Sequence, residues 1–304
     1  MSNKFTKRRR VPRRPPICIS KPPLPPYPPP IYAEYGAWAA DDPARAWVNR
    51  SRLPPIPDPP FEPITVRNLI YHVYPKPKEL AWLHNLQELR DRLDVFNGRR
   101  IVAVATGPGL LPPERVRLVL GDKVEYIHVP NNPRLRETAS FLHLLRMVRC
   151  TDTNEATFYA HSKGASEHHL QNQPRLDAIK YWRDQMYHKL LDKPHIAMRA
   201  LLKHATCGCF KVDYTGSGDH IMQSPTGLRW GTWHYAGSFF WFRHDQIFRH
   251  PHWSAIPDDP YAVEMWLGDF IPSELAATLY QTCPPTFHPA PDLYNPASHE
   301  PMNF

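Results

Sequence analysis

EATFYAHSKG, residues 155–164, begins as an unbroken apolar and aromatic run and stops at an imidazole, a hydroxyl, an ammonium and a glycine. A short apolar run ending in polar punctuation suits a strand buried on both faces, as in the middle of a parallel sheet. In open α/β sheets ligands gather outside the carboxyl ends of the strands. His161, Ser162, Lys163 and Gly164 stand at such an end, so one stretch bears on both the fold and the site.

The segments upstream repeat the pattern. VRNLIYHVYP (66–75) is a strand closed by proline, and ELAWLHNLQELRDRLDVF (79–96) carries Leu80, Leu83, Leu86, Leu89 and Leu93 at helical spacing. Asn97-Gly98 turns the chain into the β-branched run RRIVAVAT (99–106). PPERVRLVLGD (112–122) has helix-start prolines and a terminal glycine. KVEYIHVP (123–130) is a third strand and RETASFLHLLRMVRC (136–150) a further helix. Strand and helix alternating with short connections predict an α/β fold, a mainly parallel sheet with helices on both faces. The other strand tips fall at His72 to Tyr74, Thr106-Gly107 and Asn131-Asn132.

Downstream the pattern is less regular. DAIKYWRDQMYHKLLDKPHIAMRALLKHA (177–205) reads as two helices broken at Pro194, and CGCFKVDY (207–214) as a short strand. WHYAGSFFWFRHDQIF (233–248) reads as an aromatic strand entering a polar turn, and DDPYAVEMWLGDF (258–270) as a helix starting near Pro260.

Composition sets the outer limits. The chain has 304 residues, is 42% hydrophobic and contains 37 prolines, well above the usual share of about 5%. The prolines crowd the front, as in PPLPPYPPPIY (22–32), so residues 1–60 are expected to form a largely disordered, Pro-rich arm, 61–285 the α/β domain and 286–304 a tail. The net charge of +8 is concentrated in that arm, where 11 Lys/Arg face 4 Asp/Glu. No nucleic-acid role is therefore expected of the folded domain; the basic arm is a solvated terminus or a contact for an anionic membrane surface or nucleic acid. Pro29-Pro30-Ile31-Tyr32 fits the PPxY pattern, a cheap match in so proline-dense a segment. No apolar run approaches a membrane span, prolines follow the basic start, and the five cysteines suggest no disulfide framework. These features point to a cytoplasmic protein, membrane-peripheral if the arm binds lipid. Cys207 and Cys209 would face the same side of a strand, but no Cys/His cluster has zinc spacing.

Several residues carry chemistry. His161, Ser162 and Lys163, with a glycine that lets backbone approach a ligand, suit a diphosphate, and a lysine can offset charge on a leaving phosphate without a metal. A solvated polar strand end is the plainer reading. Trp233, His234, Tyr235 and Trp241 lie in the densest aromatic stretch, whose ring faces could stack on sugars or bases, though aromatic strands equally form core. Glu264 sits among Val263, Met265 and Trp266, where burial would push its carboxyl up towards the range of a general base; a surface acid fits the same sequence. Arg183 could meet phosphate or a carboxylate such as Glu264. Neither a GxxxxGK[ST] loop nor a GxSxG elbow is present, GSGD (216–219) lacks a strand-turn-helix setting, and the remaining histidines, such as His168, His169 and His220, have no metalloprotease spacing.

Four segments in series, FYAHSKG, YWRDQM (181–186), HYAGSFFWFR and AVEMWLG, resemble glycosyltransferase-like proteins of the nucleotide-diphospho-sugar transferase (GT-A) type. The resemblance covers about residues 66–270. It implies a GT-A fold, a nucleotide-sugar donor and a glycan or polysaccharide hydroxyl as acceptor. His161 and Lys163 would lie beside the donor diphosphate, with Tyr74, Thr106, Asn131, Ser162 and Arg183 completing the donor side. Trp233, His234, Tyr235 and Trp241 would line the acceptor side, and Glu264 would match the catalytic acid/base carboxylate. The usual D-x-D metal motif is missing from the strand end, which leaves Mn²⁺ or Mg²⁺ dependence open. It also keeps a second possibility, a non-catalytic carbohydrate- or nucleotide-binding module.

Overall fold

A computed structural model describes residues 59–78, 80–151, 154–165, 173–213 and 231–281. Most of the expected Pro-rich arm, the GSGD loop, His168, His169, His220 and the C-terminal tail lie outside the described residues.

The first half of the domain follows the alternation in the sequence. Its elements are β1 (Val66–Val73), α1 (Ala81–Arg90), β2 (Arg100–Thr106), α2 (Glu114–Leu120), β3 (Glu125–Pro130), α3 (Thr138–Val148) and β4 (Glu155–His161). β1 pairs in parallel with β2 on one side and with β4 on the other, and β2 pairs in parallel with β3. The chain steps outward from β1 to β2 and β3, then returns to the far side of β1 for β4. This reversal makes the carboxyl ends of β1 and β4 a topological switch point, the place where such sheets hold ligands.

The second half contains α4 (Gln173–Tyr187), a π-helical turn (His188–Asp192), α5 (Pro194–Ala200), β5 (Thr206–Gly208), β6 (Lys211–Asp213), β7 (Trp233–Tyr235), β8 (Phe240–Arg243), α6 (His244–Ile247), α7 (Ala262–Met265) and β9 (Ala276–Thr278). The main sheet has seven strands in the order β3-β2-β1-β4-β8-β5-β9, with β8 antiparallel to both neighbours. β6 and β7 form a separate antiparallel pair.

Three expectations need correction. CGCFKVDY is two strands, because the chain leaves the main sheet through Phe210 at φ +54°. The aromatic stretch is also two strands, divided by Gly237 (φ +93°) and Ser238 (φ +58°), where the Ser238 amide donates to the Tyr235 carbonyl at 3.2 Å. The helix expected over 258–270 shrinks to α7 and one 3-10 turn, Leu267–Asp269.

Two apolar layers cover the sheet. Leu69, Tyr71 and Val73 of β1 pack against Trp82, Leu86, Trp182, Met186 and Tyr187, whereas Ile70 packs on the other face with Phe141, Leu144, Trp233 and Trp266. Strands enclosed on both faces explain why β1, β2 and β4 read as continuous apolar runs rather than alternating ones. Among the described residues no helix is long and apolar enough to cross a membrane.

Candidate functional site

The tips of β1 and β4 are tied together by their own backbone and one hydroxyl. His72 and His161 are register partners, the Ser162 amide donates to the His72 carbonyl at 3.0 Å, and the Tyr74 amide donates to Ser162 Oγ at 2.9 Å. Ser162 is buried. Its oxygen pins the two tips together, so the expected donor contact becomes a structural one.

Gly237 is the meeting point of the site. Its carbonyl accepts a hydrogen bond from His161 Nε2 at 3.2 Å, and its amide donates to Glu264 Oε1 at 2.9 Å. A side chain here would adopt an unfavourable φ and meet Trp182 and Met186 of α4. The turn between β7 and β8 thereby brings the β4 tip, α4 and α7 to one peptide. The sequence marks Glu264, His161 and Trp182 separately; their convergence depends on that left-handed turn.

His161 stands at the rim of the sheet between the two layers, edge-on to Phe239 and with Nδ1 3.4 Å from Glu137 Oε1. The side chains of His161 and Glu137 are 13% and 15% exposed. A carbonyl can only accept, so the bond to Gly237 places a proton on Nε2 and leaves Nδ1 of the neutral ring facing the carboxylate. Burial pushes the His161 pKa down to about 3, and the nearby Lys163 charge pushes in the same direction; Glu264 and the Gly237 carbonyl oppose them. His72 is held down to about 4, again chiefly by burial, and its Nδ1 lies 2.8 Å from Ser140 Oγ. The Tyr159 hydroxyl is raised by burial and then by the charges of Glu137 and Glu264. It finds no hydrogen-bond partner among the described residues, a cost of about 1–3 kcal/mol.

Lys163 places its ammonium 4.2 Å from the centre of the Trp182 ring, while Asn85 Nδ2 donates to its carbonyl at 2.9 Å. Its charge is therefore fixed at the strand tip by an indole. Tyr74, Thr106 and Asn131 are half-buried. At the adjoining tips Thr106 Oγ1 donates to the Val129 carbonyl at 3.2 Å, and the Asn131 amide donates to the Thr106 carbonyl at 2.8 Å.

Other expected contacts do not form. Arg183 is buried and pairs with Asp184, its Nη2 at 2.9 Å from Oδ1, instead of with Glu264. Trp233, His234, Tyr235 and Trp241 are at most 1% exposed. Trp233 Nε1 donates to the Ile271 carbonyl at 2.7 Å, Tyr235 Oη to Ala277 at 2.6 Å, and Trp241 Nε1 to Leu190 at 3.1 Å. A ring must present an open face to stack on a sugar, and all four are core rings, with the polar atoms of Trp233, Tyr235 and Trp241 bonded to backbone. Cys207 and Cys209 are buried free thiols, and burial raises the pKa of each. Among the described residues no three His, Cys, Asp or Glu side chains are grouped to hold a metal ion.

Two residues beside the site escaped the sequence reading, Arg136 and Glu137. Both stand just before α3 and read as ordinary first-turn residues of a helix; only the packing of α3 against the β4 tip turns Glu137 towards His161.

The fold and site define an α/β protein with a mostly parallel seven-stranded sheet and a polar site at its switch point. No family model and no curated protein matches the chain. Among solved structures, one provisionally described as a nucleotide-diphospho-sugar transferase from Desulfovibrio desulfuricans G20 is similar at 11% identity, covering 71% of this chain and 80% of that one, with a TM-score of 0.36. A likeness that distant carries no argument about activity.

Proposed function

We propose that the protein is a glycosyltransferase of GT-A type that moves a sugar from a nucleotide-sugar donor to a glycan or polysaccharide hydroxyl. The observation that carries this reading is the gathering of His161, Lys163 and Glu264 around Gly237 at the β1/β4 switch point. It puts a cation, a carboxylate and an ordered peptide where an α/β sheet receives a ligand.

In this reading the acceptor oxygen bonds to the anomeric carbon as the bond from that carbon to the donor phosphate breaks. The electron pair leaves with the phosphate, whose growing charge is offset by Lys163. Glu264 takes the acceptor proton. Its Oε1 is engaged by Gly237, so Oε2 is the accepting atom. His161 acts through the Gly237 carbonyl and is a positioning residue.

The test is a panel of nucleotide sugars, with and without Mn²⁺, followed for thermal shift and for release of nucleoside diphosphate. At least one donor should both stabilise the protein and be turned over. Lys163→Ala should lower turnover about 10²-fold while costing only about 0.5–1 kcal/mol in stability, and Glu264→Gln should keep donor binding but stop transfer. Stabilisation without turnover of any donor would establish the non-catalytic module instead.

A further inference from the structure

We propose that the amino end of the sheet carries a second ligand site, a groove that takes a small zwitterion with its ammonium on Glu155 and its carboxylate on Arg149. The site lies at the opposite end of the strands from Gly237 and is independent of the sugar-transfer reading.

The groove runs along the starts of β1, β2, β3 and β4 and the end of α3, and has a volume of about 920 Å³. Small-molecule sites usually span about 300–1,000 Å³. Asn68, which lines the groove, is buried. Its Oδ1 accepts from the Arg99 amide at 2.7 Å, which fixes the orientation of the side-chain amide and leaves Nδ2 to donate to Glu155 Oε2 at 2.8 Å. Gly98 makes room for this arrangement, since a Cβ there would lie 2.2 Å from Asn68 Oδ1. Behind Glu155 stands His244, fully buried, with Nε2 2.6 Å from Thr157 Oγ1 and Nδ1 3.6 Å from Glu155 Oε2. That Nδ1 has no hydrogen-bond partner among the described residues. Burial keeps the ring neutral, so it does not cancel the charge of Glu155.

Most of the charges lining the groove are already committed. Arg99 donates through Nε to Glu125 Oε1 at 2.9 Å and through Nη2 to Oε2 at 2.5 Å. Arg100 turns Nε to the Phe96 carbonyl at 2.9 Å and Nη1 to the Lys123 carbonyl at 3.5 Å. Lys123 pairs with Asp94 at 3.2 Å, and Asp122 with Arg117 at 2.6 Å. Two charges of opposite sign remain. Among the described residues Glu155 has no lysine or arginine within the 4.0 Å of an ion pair, and its Oε1 accepts no hydrogen bond. Arg149 likewise has no carboxylate within that distance; its guanidinium lies 5.1 Å from the centre of the Trp253 ring. A simple anion entering the groove would meet Glu155, and a simple cation would meet Arg149. A ligand carrying both charges satisfies both side chains, with an ammonium on Glu155 Oε1 and a carboxylate on the paired donors of the guanidinium.

The experiment is titration calorimetry of the full-length protein with ω-amino acids of increasing length, from glycine through β-alanine to aminohexanoate, each beside the alkylamine and the alkyl carboxylate of the same length. At least one zwitterion should bind, about tenfold or more tighter than either singly charged counterpart. Glu155→Gln, which still accepts from Asn68, should weaken that binding about tenfold and leave the zwitterion no better than the carboxylate. Arg149→Met should weaken it similarly and leave the zwitterion no better than the alkylamine. Lys123→Ala, whose ammonium already serves Asp94, should stay within about twofold of wild type. Arg149→Met removes no hydrogen bond or ion pair among the described residues, so it carries the test if Glu155→Gln does not fold. No binding at any length, a singly charged counterpart that binds as tightly as the zwitterion, or wild-type affinity in either variant would overturn the proposal.

Discussion

Gly237→Ala tests the geometry on which the site depends. At φ +93° an alanine loses about 1–2 kcal/mol relative to glycine. Its Cβ would lie 3.0 Å from Trp182 Cζ2, 3.1 Å from Met186 Sδ and 3.2 Å from Met186 Cε. The thioether can swing aside, but the indole has less room, being buried and edge-on to Phe210 at 5.9 Å. Modest overpacking of this kind adds about 1–3 kcal/mol, for a total of roughly 2–5 kcal/mol. In a domain of this size each kcal/mol lowers Tm by about 2–4 °C, so a drop of roughly 4–20 °C is expected. The bond from His161 Nε2 to the Gly237 carbonyl is already long at 3.2 Å. A shift of a few tenths of an ångström breaks it. Gly268→Ala provides the comparison: its Cβ would fall 1.8 Å from the Trp233 carbonyl oxygen, so backbone itself must move and the loss should be larger. Thermal unfolding of both variants measures the order, and donor hydrolysis reads the site in Gly237→Ala at a temperature where it is folded. A wild-type Tm for Gly237→Ala, or Gly268→Ala as the milder change, would refute the reasoning.

Two other predictions concern stability. Arg243 is fully buried, bonds Asp245 through both Nε and Nη2, and reaches the carbonyls of Glu62 and Leu201 through Nη1; Arg243→Met strands the Asp245 carboxylate and should cost about 3–5 kcal/mol, much of it recovered on adding Asp245→Leu, and a urea-unfolding loss below about 1 kcal/mol for the single variant would count against a structural pair. Burial holds His72 and His250 down to about 4 and His161 and His244 down to about 3. The unfolded chain takes up protons near pH 6.5 that the folded protein refuses, so stability is level above that pH and falls as pH drops towards these lower values, by up to about 1.4 kcal/mol per pH unit for each imidazole. The urea midpoint should fall between pH 6.5 and 5, with a shallower slope in His244→Asn; a midpoint unchanged over that range would contradict the assignment.

The parallel half of the fold was legible because the signals there are local. Each of β1, β2 and β4 is an apolar run between polar ends, and each helix between them has its own periodicity, so the order of elements follows without knowing any contact. The reversal that places β4 beside β1 was not legible, because the crossover rules constrain the hand of each connection and not which edge strand the next one joins. The second half depends on single backbone conformations. Phe210 and Ser238 take positive φ without being glycine, and nothing in their side chains marks that choice. It comes from packing: Phe210 is edge-on to both Trp182 and Tyr280, and Ser238 continues the turn that Gly237 begins.

The same distinction decides the site. His161, Lys163 and Glu264 were visible because a polar group in apolar sequence has to be explained by its burial. The aromatic stretch misled for the opposite reason. A tryptophan or tyrosine with a bonded polar tip is equally at home in a core and against a sugar, and here backbone carbonyls had already taken those tips. Ser162 shows a finer version of the problem: a hydroxyl at a strand tip looks ready for a ligand until the neighbouring tip supplies an amide, and Tyr74 does so. The meeting of His161, Gly237 and Glu264 beyond the β4 tip is a property of the assembled fold that no single segment displays.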